Sequence, residues 1–278
     1  MKLISFAVDA QNYKSYGLVT ESGIVDLGLK TGNDDIKSIL TPQNLSALRA
    51  QKFDQVDFSL EEVRFLPVIE HPGKILGWGM NYAEKRQEFN HTATTPIVFI
   101  RFADSQTAHN DVLLKPKESE QFDYEGELAV IIGKSGRNIE KSKAYEYIAG
   151  YSCYIDGSAR DWQNSSITAG KNWPKTGAFG PYLVTTDEIT DPHKLSIKTF
   201  LNEQTVQDDR TDNMIYTIPD MLAFLSSFTE LNPGDVILTG SPGGVGKSRT
   251  PPLFLKENDV LRVEIESIGV LANKVVEA

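Results

Sequence analysis

Three acidic residues at alternate positions open the stretch Phe122-Asp123-Tyr124-Glu125-Gly126-Glu127-Leu128-Ala129-Val130-Ile131-Ile132-Gly133-Lys134. Residues two apart on a strand share a face. Asp123, Glu125 and Glu127 are therefore expected to point one way, with Tyr124, Leu128, Val130 and Ile132 pointing the other. Like charges side by side on one face repel. Either the face is fully solvated or something positive sits against it. The same face continues into Ala129 and Ile131, so its acidic end runs toward the core, which favours a cation.

A second piece is Ile155-Asp156-Gly157-Ser158-Ala159-Arg160-Asp161-Trp162-Gln163. Asp156 closes an apolar run, Ser158 suits a helix N-cap, and Arg160 and Gln163 share one face of the next turn. The bland alternative is a local Asp156–Arg160 pair worth about 0.3 kcal/mol. In the chemical alternative, Asp156 joins Glu125 and Glu127. Three hard oxygen ligands without His or Cys suit Mg²⁺, Mn²⁺ or Ca²⁺. About three octahedral positions then remain for a chelating substrate and water.

Two glycine-containing stretches add to this. In Ala169-Gly170-Lys171-Asn172-Trp173, a loop lysine could hold its ammonium against developing negative charge, or could simply lie on the surface. Thr239-Gly240-Ser241-Pro242-Gly243-Gly244-Val245-Gly246-Lys247-Ser248 follows a strand and looks like a phosphate loop. The Walker spacing puts a glycine where this chain has Ser241, and Arg249-Thr250-Pro251-Pro252 continues a helix poorly. A strand-end loop that brings backbone and the Ser241 hydroxyl to a ligand fits better. The four histidines, His71, His91, His109 and His193, lie in no hydrolase or zinc motif and read as loop residues. The single cysteine, Cys153, sits in an apolar run and reads as a small buried hydrophobe.

The elements that must position these groups are mostly strands. Residues 2–8 read as a strand, 16–27 as a hairpin, and 35–52 as two short helical pieces split at Pro42. Glu70-His71-Pro72-Gly73 is a turn cluster and marks the expected boundary between a small N-terminal domain, 1–70, and a catalytic domain, 71–278. Beyond it, strands are expected at 74–79, 97–102, 122–133, 148–156, 182–186, 195–207, 236–240, 259–266 and 268–276. Helical segments are expected at 82–90, 140–147, 158–163 and 218–229. Many strands with a few uneven helices make a β-rich α+β fold.

Composition sets the outer limits. A chain of 278 residues with 40% hydrophobic and 24% charged residues is an ordinary globular protein. Its net charge of −10 argues against a sequence-tolerant nucleic-acid binder. The N-terminal run is too short and too soon interrupted for a signal peptide, and no stretch approaches the ~18 apolar residues of a membrane span. These features lead to the expectation of a cytoplasmic protein without a membrane or nucleic-acid partner.

Taken in order, the pieces resemble the fumarylacetoacetate hydrolase family. The likeness runs from about Lys74 to Val276. It comprises Gly79-Met80-Asn81-Tyr82, the Asp123–Ala129 stretch, Gly150-Tyr151, Asp156–Asp161 with Gln163, Gly170-Lys171, Gly180-Pro181, Thr239–Gly246 and Ile268–Asn273. The resemblance implies a twisted mixed β-sandwich roll with a small N-terminal α/β domain, usually in a homodimer. It implies a Mg²⁺ or Mn²⁺ site on Glu125, Glu127 and Asp156, and a small oxo-acid substrate such as an acylpyruvate. Lys171 would support an enolate formed at the metal. Arg160, Gln163 and Ser241 would hold the substrate's carboxylate and carbonyl, with Tyr82 near the entrance.

One departure bears on the reaction. Many relatives read Asn-Tyr-x-x-His-x-x-Glu, whereas this chain reads Asn81-Tyr82-Ala83-Glu84-Lys85-Arg86-Gln87-Glu88. In hydrolytic relatives the His-Glu pair activates water, and an ammonium at Lys85 cannot take that proton. Glu88 serves as the base, His91 moves in, or the reaction needs no activated water. The first expectation is metal-dependent hydrolysis of a C–C bond in a 2,4-dioxo acid. The alternative is decarboxylation, isomerisation or tautomerisation, or dehydration of a related 2-oxo acid.

Overall fold

Apolar runs punctuated by Gly, Asn and Pro become strands, and two of them are interrupted where the sequence suggested continuity. In the computed structural model, which describes residues 1–33, 35–53 and 55–278, the largest sheet among the described residues has eleven strands. Its main path runs Gly23–Asp26, Tyr13–Thr20, Lys2–Val8, Gly177–Thr185, Ile148–Asp156, Gly126–Ile132, Val236–Leu238, Ile75–Gly79 and Ile97–Arg101. Val236–Leu238 pairs parallel with Ile75–Gly79, whereas Gly126–Ile132 is antiparallel to both of its neighbours. A second, five-stranded sheet runs Gln204–Arg210, Ser196–Leu201, Val260–Ile265, Gly269–Glu277 and Val112–Lys115.

The core lies on both faces of the large sheet. From Gly126–Ile132, Leu128, Val130 and Ile132 join one apolar cluster, together with Val263 and Leu271 of the smaller sheet. Met221, Leu222 and Leu225 of the helix Ile218–Phe228 pack into the same cluster. Ala129 and Ile131 enter a second cluster with Leu3, Tyr16 and Leu45. A strand covered on both faces reads as a continuous apolar run, which is what Leu128–Ile132 shows. The first seventy residues meet the rest of the sheet through Lys2↔Val184 and Leu3↔Leu183.

The prolines act as expected, and caps the sequence reading did not name accompany them. Pro42 opens the helix Pro42–Arg49 and Thr41 caps it. Thr217 and Asp220 form a capping box on Ile218–Phe228, with Pro219 in the first turn. Such caps supply partners for N–H groups that have none within the helix.

Two expected strands are corrected. Residues 122–133 form Phe122–Asp123 and Gly126–Ile132 with a break between them, so Asp123 leaves the alternation. Residues 195–207 form the hairpin Ser196–Leu201 and Gln204–Arg210. It turns at Asn202, where φ is 55°, a left-handed conformation that Asn tolerates. Val112–Lys115 and Ile167–Lys171 are additional elements. Among the described residues no helix is long and apolar enough to cross a membrane.

Candidate active site

Strand pairing brings the three carboxylates together. Gly126 faces Ile155 across two antiparallel strands, which sets Glu125 opposite Asp156. The Asp156 amide donates to the Glu125 carbonyl at 2.8 Å. Glu127 lies on the same side of its strand as Ala129 and Ile131, as alternation requires. Glu125, Glu127 and Asp156 each offer an oxygen within 4.8 Å of the others, and all three are buried.

A ring of cations surrounds them. Lys171 ends the short helix Ile167–Lys171, which Ser166 caps. Its Nζ donates to Glu125 Oε2 at 2.6 Å, to Ser158 Oγ at 2.7 Å and to Asp156 Oδ2. The lysine is buried, not in a surface loop. Gly170 permits this placement, because a Cβ there would lie 2.2 Å from Gln163 Cγ and 2.8 Å from the Ala159 carbonyl. Lys85 donates to Glu125 Oε1 and to Ser241 Oγ, each at 2.5 Å. Arg160 donates to Asp123 Oδ2 at 2.8 Å, to Glu125 Oε1 at 2.7 Å and to Gln163 Oε1 at 3.2 Å.

The local Asp156–Arg160 pair does not form. Asp156 takes Arg101 instead, at 2.5 Å, which reaches it from the end of the distant edge strand Ile97–Arg101 and also bonds the Gly157 carbonyl. Ser158 is likewise not a helix cap; Ala159 occupies that position without a side-chain bond, and Ser158 accepts from Lys171.

The glycine-rich loop is an anion cradle filled by the protein's own carboxylates. The Gly240 amide donates to Glu127 at 2.8 Å, that of Gly244 to Glu88 at 2.7 Å, and those of Gly246 and Lys247 to Asp123 at 2.7 and 3.0 Å. Gly240 has φ 91°, and a Cβ there would meet the Trp78 carbonyl at 2.8 Å.

Electrostatics divides the triad. Burial works against charge on Glu125, yet Arg160, Lys171 and Lys85 together outweigh it and hold the carboxyl well below the usual range. Glu127 goes the other way. Burial, then the negative charges of Asp156 and Glu125, push it well above that range, and Lys171 and Lys85 only partly offset them. A divalent cation among the three oxygens would remove this repulsion. Three close, buried, hard oxygen donors fit Mg²⁺ or Mn²⁺, and carboxylates retain lone pairs beyond those the lysines use.

A cavity of about 100 Å³ opens beside the triad. Lys85, Glu125, Glu127, Arg160, Gln163 and Lys171 reach it; Met80, Ile97, Phe99 and Ile167 form its apolar side. Ser241 connects to it through Lys85. Asp156 likewise connects through Lys171, whereas two expected site residues, Tyr82 and Glu88, neither line the cavity nor bond to a side chain that does. Tyr82 is fully buried in the core, and its hydroxyl has no protein partner; the entrance position expected for it is therefore not what the fold provides. Glu88 ties down the Gly244 amide. Among the described residues no histidine lines the cavity.

Sequence reasoning passed over Arg101, which holds Asp156 and donates to Gly157, Ser105 and Thr176. Its signal was present: Arg101 shares the inward side of Ile97–Arg101 with Phe99, a charge where a core residue belongs. The role of Asp123, anchoring Arg160 and the glycine-rich loop, was likewise missed.

Comparisons with known proteins identify the family. The family model described as fumarylacetoacetate (FAA) hydrolase C-terminal matches residues 74–276. A mitochondrial oxaloacetate tautomerase from Rattus norvegicus is 42% identical over 222 residues, covering 77% of this chain and 70% of that protein. A fumarylacetoacetate hydrolase domain-containing protein 2 homolog from Dictyostelium discoideum is 37% identical, covering 99% of this chain and 97% of that protein. Among solved structures, a maleylpyruvate hydrolase from Sphingobium sp. SYK-6, in complex with manganese(II) and pyruvate, superimposes with a TM-score of 0.85. It is 25% identical, and each chain is fully covered. The expectation of a cytoplasmic protein is contradicted, because the oxaloacetate tautomerases similar to this chain are mitochondrial. Globular composition and the lack of an apolar span do not distinguish one aqueous compartment from another. The chain belongs to the fumarylacetoacetate hydrolase family of enzymes.

Proposed function

We propose that this chain interconverts the enol and keto forms of a 2-oxo acid, with Mg²⁺ or Mn²⁺ held by Glu125, Glu127 and Asp156. Oxaloacetate is the substrate to which the names of its tautomerase relatives point. The observation that carries the proposal is the engagement of Lys85. Hydrolysis of a C–C bond needs a group that takes a proton from water. At position 85 an ammonium instead donates to Glu125 and Ser241. Glu88, the other expected base, holds the Gly244 amide and does not reach the cavity. Tautomerisation breaks no C–C bond and needs no attacking water: toward the keto form the C2 hydroxyl releases its proton to solvent in the open cavity and C3 takes one from solvent, and the reverse step returns both.

When bound, the metal supplies Lewis-acid stabilisation of negative charge on the substrate oxygens. Lys171 sets its ammonium beside the same carboxylates, where charge develops on the C2 oxygen as C3 loses its proton. Arg160 keeps Glu125 ionised and oriented, and Arg101 orients Asp156. Gln163 gives its carbonyl to Arg160, which leaves its amide N–H groups for the substrate carboxylate. Phe99 and Ile97 make the opposite side apolar, which strengthens each of these interactions.

The second reading is hydrolysis of an acylpyruvate-like 2,4-dioxo acid, favoured by the likeness to a maleylpyruvate hydrolase. One experiment separates the two. Enol-oxaloacetate and acetylpyruvate are each followed by enol absorbance and product chromatography, with Mg²⁺ and with a chelator. Metal-dependent decay of enol-oxaloacetate to keto-oxaloacetate, with acetylpyruvate left uncleaved, is expected. Metal-dependent release of pyruvate and acetate from acetylpyruvate, without enol-oxaloacetate decay, would establish the hydrolytic alternative.

A further inference from the structure

With all four carboxylates ionised, as a metal-loaded site requires, the buried side-chain charges around the cavity balance. Lys85, Arg101, Arg160 and Lys171 face Asp123, Glu125, Glu127 and Asp156, and all eight side chains are buried. A divalent cation on the triad therefore leaves the site two charges positive. A neutral side chain at position 85 would leave it one charge positive. A 2-oxo monocarboxylate brings one negative charge and a 2-oxo dicarboxylate brings two. In a low-dielectric cavity a mismatch of one charge weighs heavily.

Hydrogen bonding singles out the same residue. Lys171 commits its three N–H groups to Glu125, Asp156 and Ser158. Lys85 lines the cavity and commits two, to Glu125 Oε1 and Ser241 Oγ. An ammonium has three donors, so one remains for a ligand. Arg160, paired with Gln163, sits by Glu125 and suits the carboxylate next to the oxo group. The remaining wall, Met80, Ile97, Phe99 and Ile167, offers no side-chain charge for a second carboxylate.

We propose that Lys85 is a specificity-determining residue that binds the distal carboxylate and makes this a site for 2-oxo dicarboxylates over 2-oxo monocarboxylates. This rests on the oxo-acid function proposed above. Loss of the Lys85 side-chain charge leaves Glu125 paired with both Arg160 and Lys171, so the carboxylate is not stranded in the variants that test the idea.

The test uses two inert 2-hydroxy acids, (S)-malate and (S)-2-hydroxybutyrate, in which a terminal methyl replaces the distal carboxylate. Their affinities are measured by calorimetry on the Mg²⁺-loaded wild type and on Lys85→Met and Lys85→Arg. The wild type should prefer malate by about tenfold or more, the ordinary strength of a hydrogen bond between charged groups. Lys85→Met should bring the ratio of affinities near one, and Lys85→Arg should restore most of it. A purely structural role would weaken both ligands equally and leave the ratio intact, which would overturn the proposal. So would a wild type that binds neither acid, or both alike. Enol decay is measured on the same samples. Malate preference without enol decay would refute the tautomerase function and leave the selection standing. Enol decay without malate preference would do the reverse.

Discussion

Glu127→Gln produces two effects of opposite sign, and together they are diagnostic of a metal site. Glu127 is 1% exposed and accepts the Gly240 amide at 2.8 Å. A glutamine carbonyl can keep that bond while removing the charge. Without metal, burial and the nearby charges of Asp156 and Glu125 make an ionised Glu127 unfavourable. The metal-free wild type therefore loses stability as pH rises above the ordinary value of 4.5, because the unfolded chain releases this proton more readily than the folded one. Glu127→Gln lacks that loss, so in chelator at pH 7 its melting temperature should equal or exceed that of the wild type. With metal the order reverses. Mg²⁺ at a hundred times its dissociation constant stabilises the wild type by about 2.7 kcal/mol. For a chain of this length that is a shift of roughly 5–10 °C. The variant, lacking one of three charged ligands, should shift by less than about 2 °C at the same concentration. Differential scanning fluorimetry across a Mg²⁺ series reads both effects. A variant that melts well below metal-free wild type, or that keeps the full Mg²⁺ shift, would refute the assignment of Glu127 as a ligand.

Two further outcomes are expected. Arg101→Met removes the cation that faces Asp156 in a pair with no exposed side-chain surface, and should cost about 3–5 kcal/mol in urea unfolding of the metal-free protein; saturating Mg²⁺ should recover part of the loss, and no recovery would argue against metal at Asp156. Burial pushes His109 down to about 4, and its neutral Nδ1 accepts the Ala272 amide. The stability it adds is complete above pH 6.5 and is lost as pH falls from there toward about 4, amounting to roughly 1–2 kcal/mol for a ring that is partly exposed. His109→Asn keeps an acceptor without the titration, so the wild type should lose more stability than the variant between pH 7 and pH 4.5. Equal losses would show that His109 does not titrate in the fold.

The acidic triad was legible in part: strand alternation and apolar context act locally, and the family resemblance joined Glu125, Glu127 and Asp156 into one set. Glu127 runs into Ala129 and Ile131, and Asp156 ends Tyr151–Ile155, so each carboxylate had to sit where a strand enters the core. The partners of those carboxylates were not legible, because they arrive from distant elements. Arg101 reaches Asp156 across 55 residues and Lys85 reaches Glu125 across 40. No local spacing encodes such pairs, so the four-residue Asp156–Arg160 spacing suggested a bond that tertiary pairing replaces. Lys171 looked like a loop residue because its helix has five residues and a glycine, too short for a periodic signal. The glycine-rich loop showed its need for an anion, but its amides hold Glu127, Glu88 and Asp123 where a phosphate loop would hold a nucleotide. Tyr82 and Glu88 follow the same contrast: their places in the motif were visible, but Tyr82 is drawn into the core beside Met214 and Glu88 is taken by the Gly244 amide.

Hydrogen exchange at C3 tests the proposed chemistry most directly. Keto-oxaloacetate in D₂O, with enzyme and Mg²⁺, is followed by proton NMR for loss of the C3 protons and for release of pyruvate. If the site makes and breaks the enol without activating water, many C3 protons should exchange for each C–C bond broken. The exchange should fall to the rate in buffer when chelator is added or Glu127 is changed to Gln. Exchange no faster than in buffer, accompanied by metal-dependent C–C cleavage, would contradict a tautomerase site.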